Sequence, residues 1–199
     1  MLNKKAFSLA ETLIVLIIIG IIAFLTIPQR IANVQNRTRL TQITKAYESL
    51  DQVYDYALNE EKNVIGACTL ASCTGVTENL TLKDAVENIF YNNMRASAFN
   101  ASSTSKVKFT TRDGMEFTFS NFNDKCPSLS NTDKDSKLLN SADALSVACM
   151  VIDIDVNGAD KKPNKPTDKE AIADEVWNDQ YRLYVLRDSI EFLKEENMM

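Results

Sequence analysis

A small set of side chains in this 199-residue chain could do chemistry, and most of them are acidic or sulfur-bearing. Glu11 stands inside a long apolar run. Asp153, Asp155 and Asn157 alternate in "DIDVNG", so on a strand they share a face. Cys68, Cys73, Cys126 and Cys149 make an even set of thiols. The chain has no histidine, which removes Ser-His-Asp and Cys-His nucleophile arrangements and any His-ligated zinc. The cysteine spacings form no paired CxxC knuckles, so zinc on thiolates alone is not expected either. No other catalytic constellation stands out, and the chain reads as a non-enzyme.

The acidic pair admits one metal reading. "DIDVNG" begins like a D-x-D-x-N-G calcium loop, with Asp153, Asp155 and Asn157 as oxygen ligands. The twelfth position is Asn164 rather than a bidentate Glu, and a strand is the wrong lead-in for an EF-hand. The alternative is a solvated strand face ending in an Asn-Gly turn. Calcium is the one cofactor the sequence suggests. A net charge of -5 argues against a general nucleic-acid binder, which carries a basic face.

These residues have to be positioned by the elements around them. From Phe7 to Ile27 the only charged residue is Glu11. As a helix rising about 1.5 Å per residue, the run spans about 30 Å, the hydrocarbon thickness of a bilayer. Lys4 and Lys5 precede it, which places the N-terminus in the cytoplasm and exports the rest. No small-residue cleavage site follows Ile27, so the run is not an ordinary secretory signal. Apolar residues at Ile31, Val34, Leu40, Ile43, Tyr47, Leu50, Val53 and Leu58 keep a helical face. One helix from Phe7 to about Asn59 is expected, kinked near Pro28 and weakened at Gly20.

Glu11 has two readings. "SLAE" fits a capping box, with Ser8 as N-cap and Glu11 reaching back to its backbone N–H. Alternatively, an ionisable group in a membrane segment is costly and marks function. Its cationic partner then comes from a chain terminus, a lipid head group or another subunit, because the segment holds no lysine or arginine.

"KKAFSLAETLIVLIIIGIIAFLTIP" resembles the N-terminus of type IV pilins and type II secretion pseudopilins. The resemblance covers roughly the first 55 residues. It implies a leader, residues 1–6, removed by a prepilin peptidase after Ala6, where the family usually has Gly. It implies N-methylation of Phe7 and an assembly role for Glu11, paired with the N-terminal amine of a neighbouring subunit. Gly20 and Pro28 take the places of the family's glycine and proline. The implied partners are other pilin or pseudopilin subunits, the inner-membrane assembly platform and membrane lipid. The implied location is the inner membrane, single-pass, and then the filament. A membrane-anchored extracytoplasmic binding protein that does not assemble is the alternative.

The rest of the chain reads as an exported domain, residues 30–199. In an oxidising compartment its thiols should form disulfides. Of the three possible pairings we favour Cys68 with Cys73, closing "CTLASC", and Cys126 with Cys149. A short helix is expected from Thr81 to about Met94, with Leu82, Ala85, Val86, Ile89 and Phe90 on one face. "ASAFNASSTS" reads as a loop. "KVKFTTRDGMEFTFSNF" reads as a hairpin turning at Asp113-Gly114. "NDKCPSLSNTDKDSKLLNSADA" reads as a polar linker, "LSVACMVIDIDV" as a buried strand and "QYRLYVLR" as the last strand. The tail "DSIEFLKEENMM" reads as a short helix or a frayed end. This is an α+β chain, pilin-like by resemblance, with a long N-terminal helix and a small antiparallel sheet. "DVNGADKKPN" followed by "DEVW" also resembles a D-x-N-G…P-N…D-x-F loop of pilin-like secretion proteins, with Asp174 as its acid and Trp177 as its aromatic.

Overall fold

The computed structural model describes residues 9–59, 81–94, 96–101, 103–138, 140–158, 160–161, 164–166 and 178–193. Its first element, α1, is a helix over Leu9–Asn59 that runs through Gly20 and Pro28 without interruption. The chain divides into two compact units, Met1–Thr38 and Arg39–Met199. In the first unit the apolar residues of α1 are exposed all round, up to 85 % at Leu9 and 79 % at Phe24. The stretch Leu9–Thr26 is long and apolar enough to cross a membrane. A helix that is hydrophobic on every side has no polar face to give to water and needs lipid or protein around it.

In the second unit α1 buries Ile43, Ala46, Leu50, Tyr54 and Ala57, at the spacing of one helical face. That face belongs to a core built from the sheet and a second helical segment. Thr81 opens this segment with a capping box to Asp84, and α2 covers Leu82–Ala85. It continues directly as a π-helical turn, Val86–Tyr91. Leu82, Ala85, Val86, Ile89 and Phe90 are all buried, the face expected from their spacing.

The sheet has six strands, each antiparallel to its chain neighbours: β1 Ala96–Asn100, β2 Lys106–Thr111, β3 Glu116–Ser120, β4 Met150–Asp155, β5 Gln180–Val185 and β6 Ile190–Glu191. The fold is therefore α+β. Period-two alternation sends Val107 and Phe109 of β2 and Phe117 and Phe119 of β3 into the core. Register places Phe109 opposite Phe117, Phe117 opposite Ile154, and Ile152 opposite Leu183. Phe109 stacks on both Phe117 and Phe119, at centroid distances of 5.3 and 5.4 Å. The hairpin turns at Asp113-Gly114, where Gly114 takes a φ of +88°.

Three expectations are corrected. The segment read as a loop contains β1, which pairs with β2 across a register shift between Ala96 and Ala98. Phe99 is its one large apolar side chain, and the rest are small or polar, so no alternation could be read. The polar linker contains two helices, α3 Asn131–Lys137 and α4 Ser141–Val147. Ser130 caps the first with a box to Asp133, and the Asn140 side chain caps the second at Asp143 N. Leu145–Val147 is therefore helix rather than the start of β4. Finally, the tail pairs as β6 with Val185 and Tyr184.

These short helices cover the other side of the sheet at one end. Leu138, Ala144, Val147 and Ala148 pack with Val151 of β4, Tyr184 of β5, and Leu186 and Leu193. Burial on both sides at this end explains why β4 opens on three successive apolar residues, Met150, Val151 and Ile152. The Cys126–Cys149 disulfide ties the start of this cover to the start of β4, as expected for that pair. Cys68 and Cys73 lie outside the described residues. Replacing Cys126 and Cys149 together by serine opens a loop of sequence separation 23 and is expected to cost about 3 kcal/mol. Urea unfolding of the detergent-solubilised chain, with and without reductant, checks this. With reductant present, variant and wild type should unfold alike; without it, the variant should be the less stable.

Candidate functional site

Two regions carry the residues singled out by the sequence. In the first unit, Glu11 sits in the first turn of α1 as described. Ala6, Phe7 and Ser8 lie outside the described residues, and the capping reading lies there with them. The hydroxyls of this stretch turn back onto the helix. Thr12 Oγ1 donates to the Leu9 carbonyl at 2.8 Å and Thr26 Oγ1 to the Ile22 carbonyl at 2.9 Å. Such bonds let a hydroxyl enter an apolar environment without an unmet donor. The carboxylate of Glu11 is then the least lipid-compatible group of Leu9–Thr26.

The second region is the turn after β4. Asp153 is held across the sheet by Arg182 of β5, with Nε to Oδ1 at 2.6 Å and Nη2 to Oδ2 at 3.1 Å. Asp155, on the same strand face, has other partners. Its Oδ1 accepts the Asn157 N–H at 3.3 Å, and its Oδ2 receives a long contact of 3.5 Å from Gln180 Nε2. The structure thus brings Asp155 and Asn157 together and engages Asp153 separately with Arg182. Burial pushes the Asp155 carboxyl above its ordinary range, the Gln180 bond opposes this, and the nearby Asp179 adds to it.

The residue that organises this turn is Asp179, which is fully buried. Its Oδ2 accepts from Asn157 Nδ2 at 3.0 Å and from the Asn164 N–H at 2.8 Å, and its Oδ1 accepts from the Lys165 N–H at 2.8 Å. Its own carbonyl receives the Val156 N–H at 2.9 Å. One carboxylate therefore closes the two ends of the loop onto the start of β5. Asn164 accepts a φ of +51° within it. Gly158 is required for a different reason. Its φ is +85°, and a Cβ there would stand 2.6 Å from the Gly114 carbonyl oxygen. The loop thus rests against the β2–β3 turn through two glycines.

Sequence reasoning placed the acid of this loop at Asp174, with Trp177 beside it; both lie outside the described residues. It missed Asp179. The signal was present, since Asp179-Gln180-Tyr181 also has the acid-x-aromatic spacing, just where the last strand begins. Arg182 as the partner of Asp153 had no sequence signal, because it depends on β4–β5 register.

No protein-family model, curated protein or solved structure matches this chain.

Two outcomes are expected here. Asp179→Ala strands two backbone N–H groups and should cost about 3 kcal/mol or more, while Gly158→Ala should lift the loop. In both variants trypsin should cleave after Lys161 faster than in the wild type; equal rates would contradict the assigned roles. The second concerns pH. Asp155 and Asp51 have raised folded pKa values, each chiefly through burial. The folded state then binds protons first, so stability rises as pH falls from neutral through these raised values, until the unfolded carboxyls also protonate near about 3.9. Asp84 and Asp133 are lowered by hydrogen bonds from Thr81 and Ser130, and their contribution is lost as pH falls below the ordinary range. Melting temperature should therefore peak at mildly acidic pH, and Asp155→Asn should flatten the rise.

Proposed function

We propose that this chain is a structural subunit of a type IV pilus-like or type II secretion pseudopilus filament. It is stored in the inner membrane through α1, with its N-terminus cytoplasmic and its disulfide-bonded unit outside. A prepilin peptidase removes residues 1–6, Phe7 is N-methylated, and an assembly platform transfers the subunit into the filament.

The observation that carries this reading is the all-round apolar exposure of Leu9–Thr26, with a carboxylate in its first turn. Such a surface has two possible environments, lipid tails and the apolar helices of other subunits. Moving between them costs little, since lipid tails are as apolar as Leu. Glu11 supplies the directional term. In a low-dielectric setting a carboxylate strongly favours one cation, and the amine of Phe7 on a neighbouring subunit is the cation this reading offers. A slip of one axial step would separate them, so the pair also sets register.

Mass spectrometry of the native protein is expected to show loss of residues 1–6 and one added methyl group. An intact Met1 terminus would count against the reading. Glu11→Ala should leave the monomer in the membrane and abolish its recovery in sheared filaments. Normal incorporation of that variant would leave the second reading, a membrane-anchored binding protein that does not assemble.

A further inference from the structure

The part of α1 inside the second unit has two unlike flanks. Along one, Tyr47 stacks on Phe192 at 5.4 Å and donates its hydroxyl to the Ile190 carbonyl at 3.1 Å. Asp51 and Asp55 follow on the same flank, with Glu191 of β6 beside them. Burial first, and then the neighbouring carboxylates, raise the Asp51 carboxyl and push the Tyr47 phenol up to about 12. Among the described residues the cations near it are Lys134 and Arg187. Lys134 is 3.1 Å from Asp188 Oδ1 and 4.0 Å from Glu191 Oε1, and Arg187 follows β5. Among the described residues carboxylates outnumber cations on this flank. Helix electrostatics do not account for them, because acids toward the C-terminal end of a helix oppose its dipole, and the last turn of α1 has no basic residue.

Along the other flank lies a hollow of about 410 Å³ between α1, the turn after the π-helical segment and the β2–β3 turn. Lys45, Gln52, Asn93, Arg112 and Asp113 line it. Lys45 pairs with Asp113, and Arg112 is exposed at the rim. Asn93 Nδ2 is taken up by the Asn88 and Ile89 carbonyls, so this side offers the Arg112 guanidinium and the Gln52 amide to a carboxylate.

We infer that the hollow beside Lys45 and Arg112 receives the Asp51–Asp55–Glu191 flank of a second copy of this chain. The inference rests on the filament reading above and deepens it by naming a contact between the exported units. The two patches are complementary in sign and lie on opposite flanks of one helix. A copy therefore uses them toward two different neighbours. Such a contact is heterologous and propagates instead of closing as a two-fold dimer. Bringing Arg112 to the crowded carboxylates also relieves their mutual repulsion, which gives the contact a preferred direction.

The test is charge reversal in the full-length chain, with the sheared, sedimentable filament fraction as readout. Arg112→Glu and Asp55→Arg should each lower that fraction by about threefold or more, as exposed pairs repeated along a polymer would. The double variant should recover to within about twofold of wild type, because the signs are exchanged together. Arg112→Gln and Asp55→Asn, which are milder, should give smaller losses in the same order. Unaffected single variants, or a double variant as poor as the two losses combined, overturn the inference. Glu11→Ala runs alongside. If it sediments normally, the filament reading fails; if it abolishes sedimentation while charge reversal changes nothing, only the flank contact fails.

Discussion

Tyr54 stands where the parts of the second unit meet. It is fully buried, its ring lies parallel to Phe90 of the π-helical turn at 6.0 Å, and Phe90 in turn meets Phe119 of β3 at 5.0 Å. Its hydroxyl donates to the Leu186 carbonyl at 2.6 Å and contacts that of Arg187 at 3.2 Å. One side chain thus fixes α1 against the second helical segment and against the end of β5. A phenol suits the position because its body is apolar and its tip is polar: the ring fills the core, and the hydroxyl meets carbonyls that the β5–β6 turn leaves over. Burial, with Asp188 nearby, holds the phenol well above its ordinary pKa, so it stays a donor at any ordinary pH.

The elements that were legible in the sequence are those whose burial is one-sided. β2 and β3 alternate cleanly because one face meets the core and the other meets water, and the five apolar residues from Leu82 to Phe90 fall at helical spacing for the same reason. The elements that were missed are set by partners distant in sequence. β1 carries little pattern of its own and exists because β2 offers it an edge. The helices α3 and α4 are mostly polar, and their caps at Ser130 and Asn140 are their main local signals. β4 was extended too far because Leu145 to Ile152 is apolar but for Ser146, with no break between helix and strand. Its first part is helix that covers the sheet, and its second part is strand beneath that cover.

The candidate site divides in the same way. Glu11 is conspicuous because the residues around it are apolar, and that contrast needs no structure. The β4 turn was visible as "DIDVNG", yet its organisation was not. Asp153 and Asp155 share a strand face, but register gives one to Arg182 and leaves the other beside Asn157. Asp179 supplies the closure from the far end of the loop, and Gly158 is explained only by the carbonyl of Gly114. Each of these assignments needs the distance between two segments that spacing alone does not contain.

The sheet order has a consequence for how the unit is made. Every strand pairs with its immediate predecessor, so no strand waits for a later one to be inserted beside it. Pairings between chain neighbours close comparatively short loops, which keeps the entropy of each step low and favours fast folding. The hairpin of β2 and β3 can form before β4 is synthesised, and β4 before β5. A chain emerging from its N-terminus can therefore build its sheet in the order in which it appears, with α1 already present as the surface on which the strands collect.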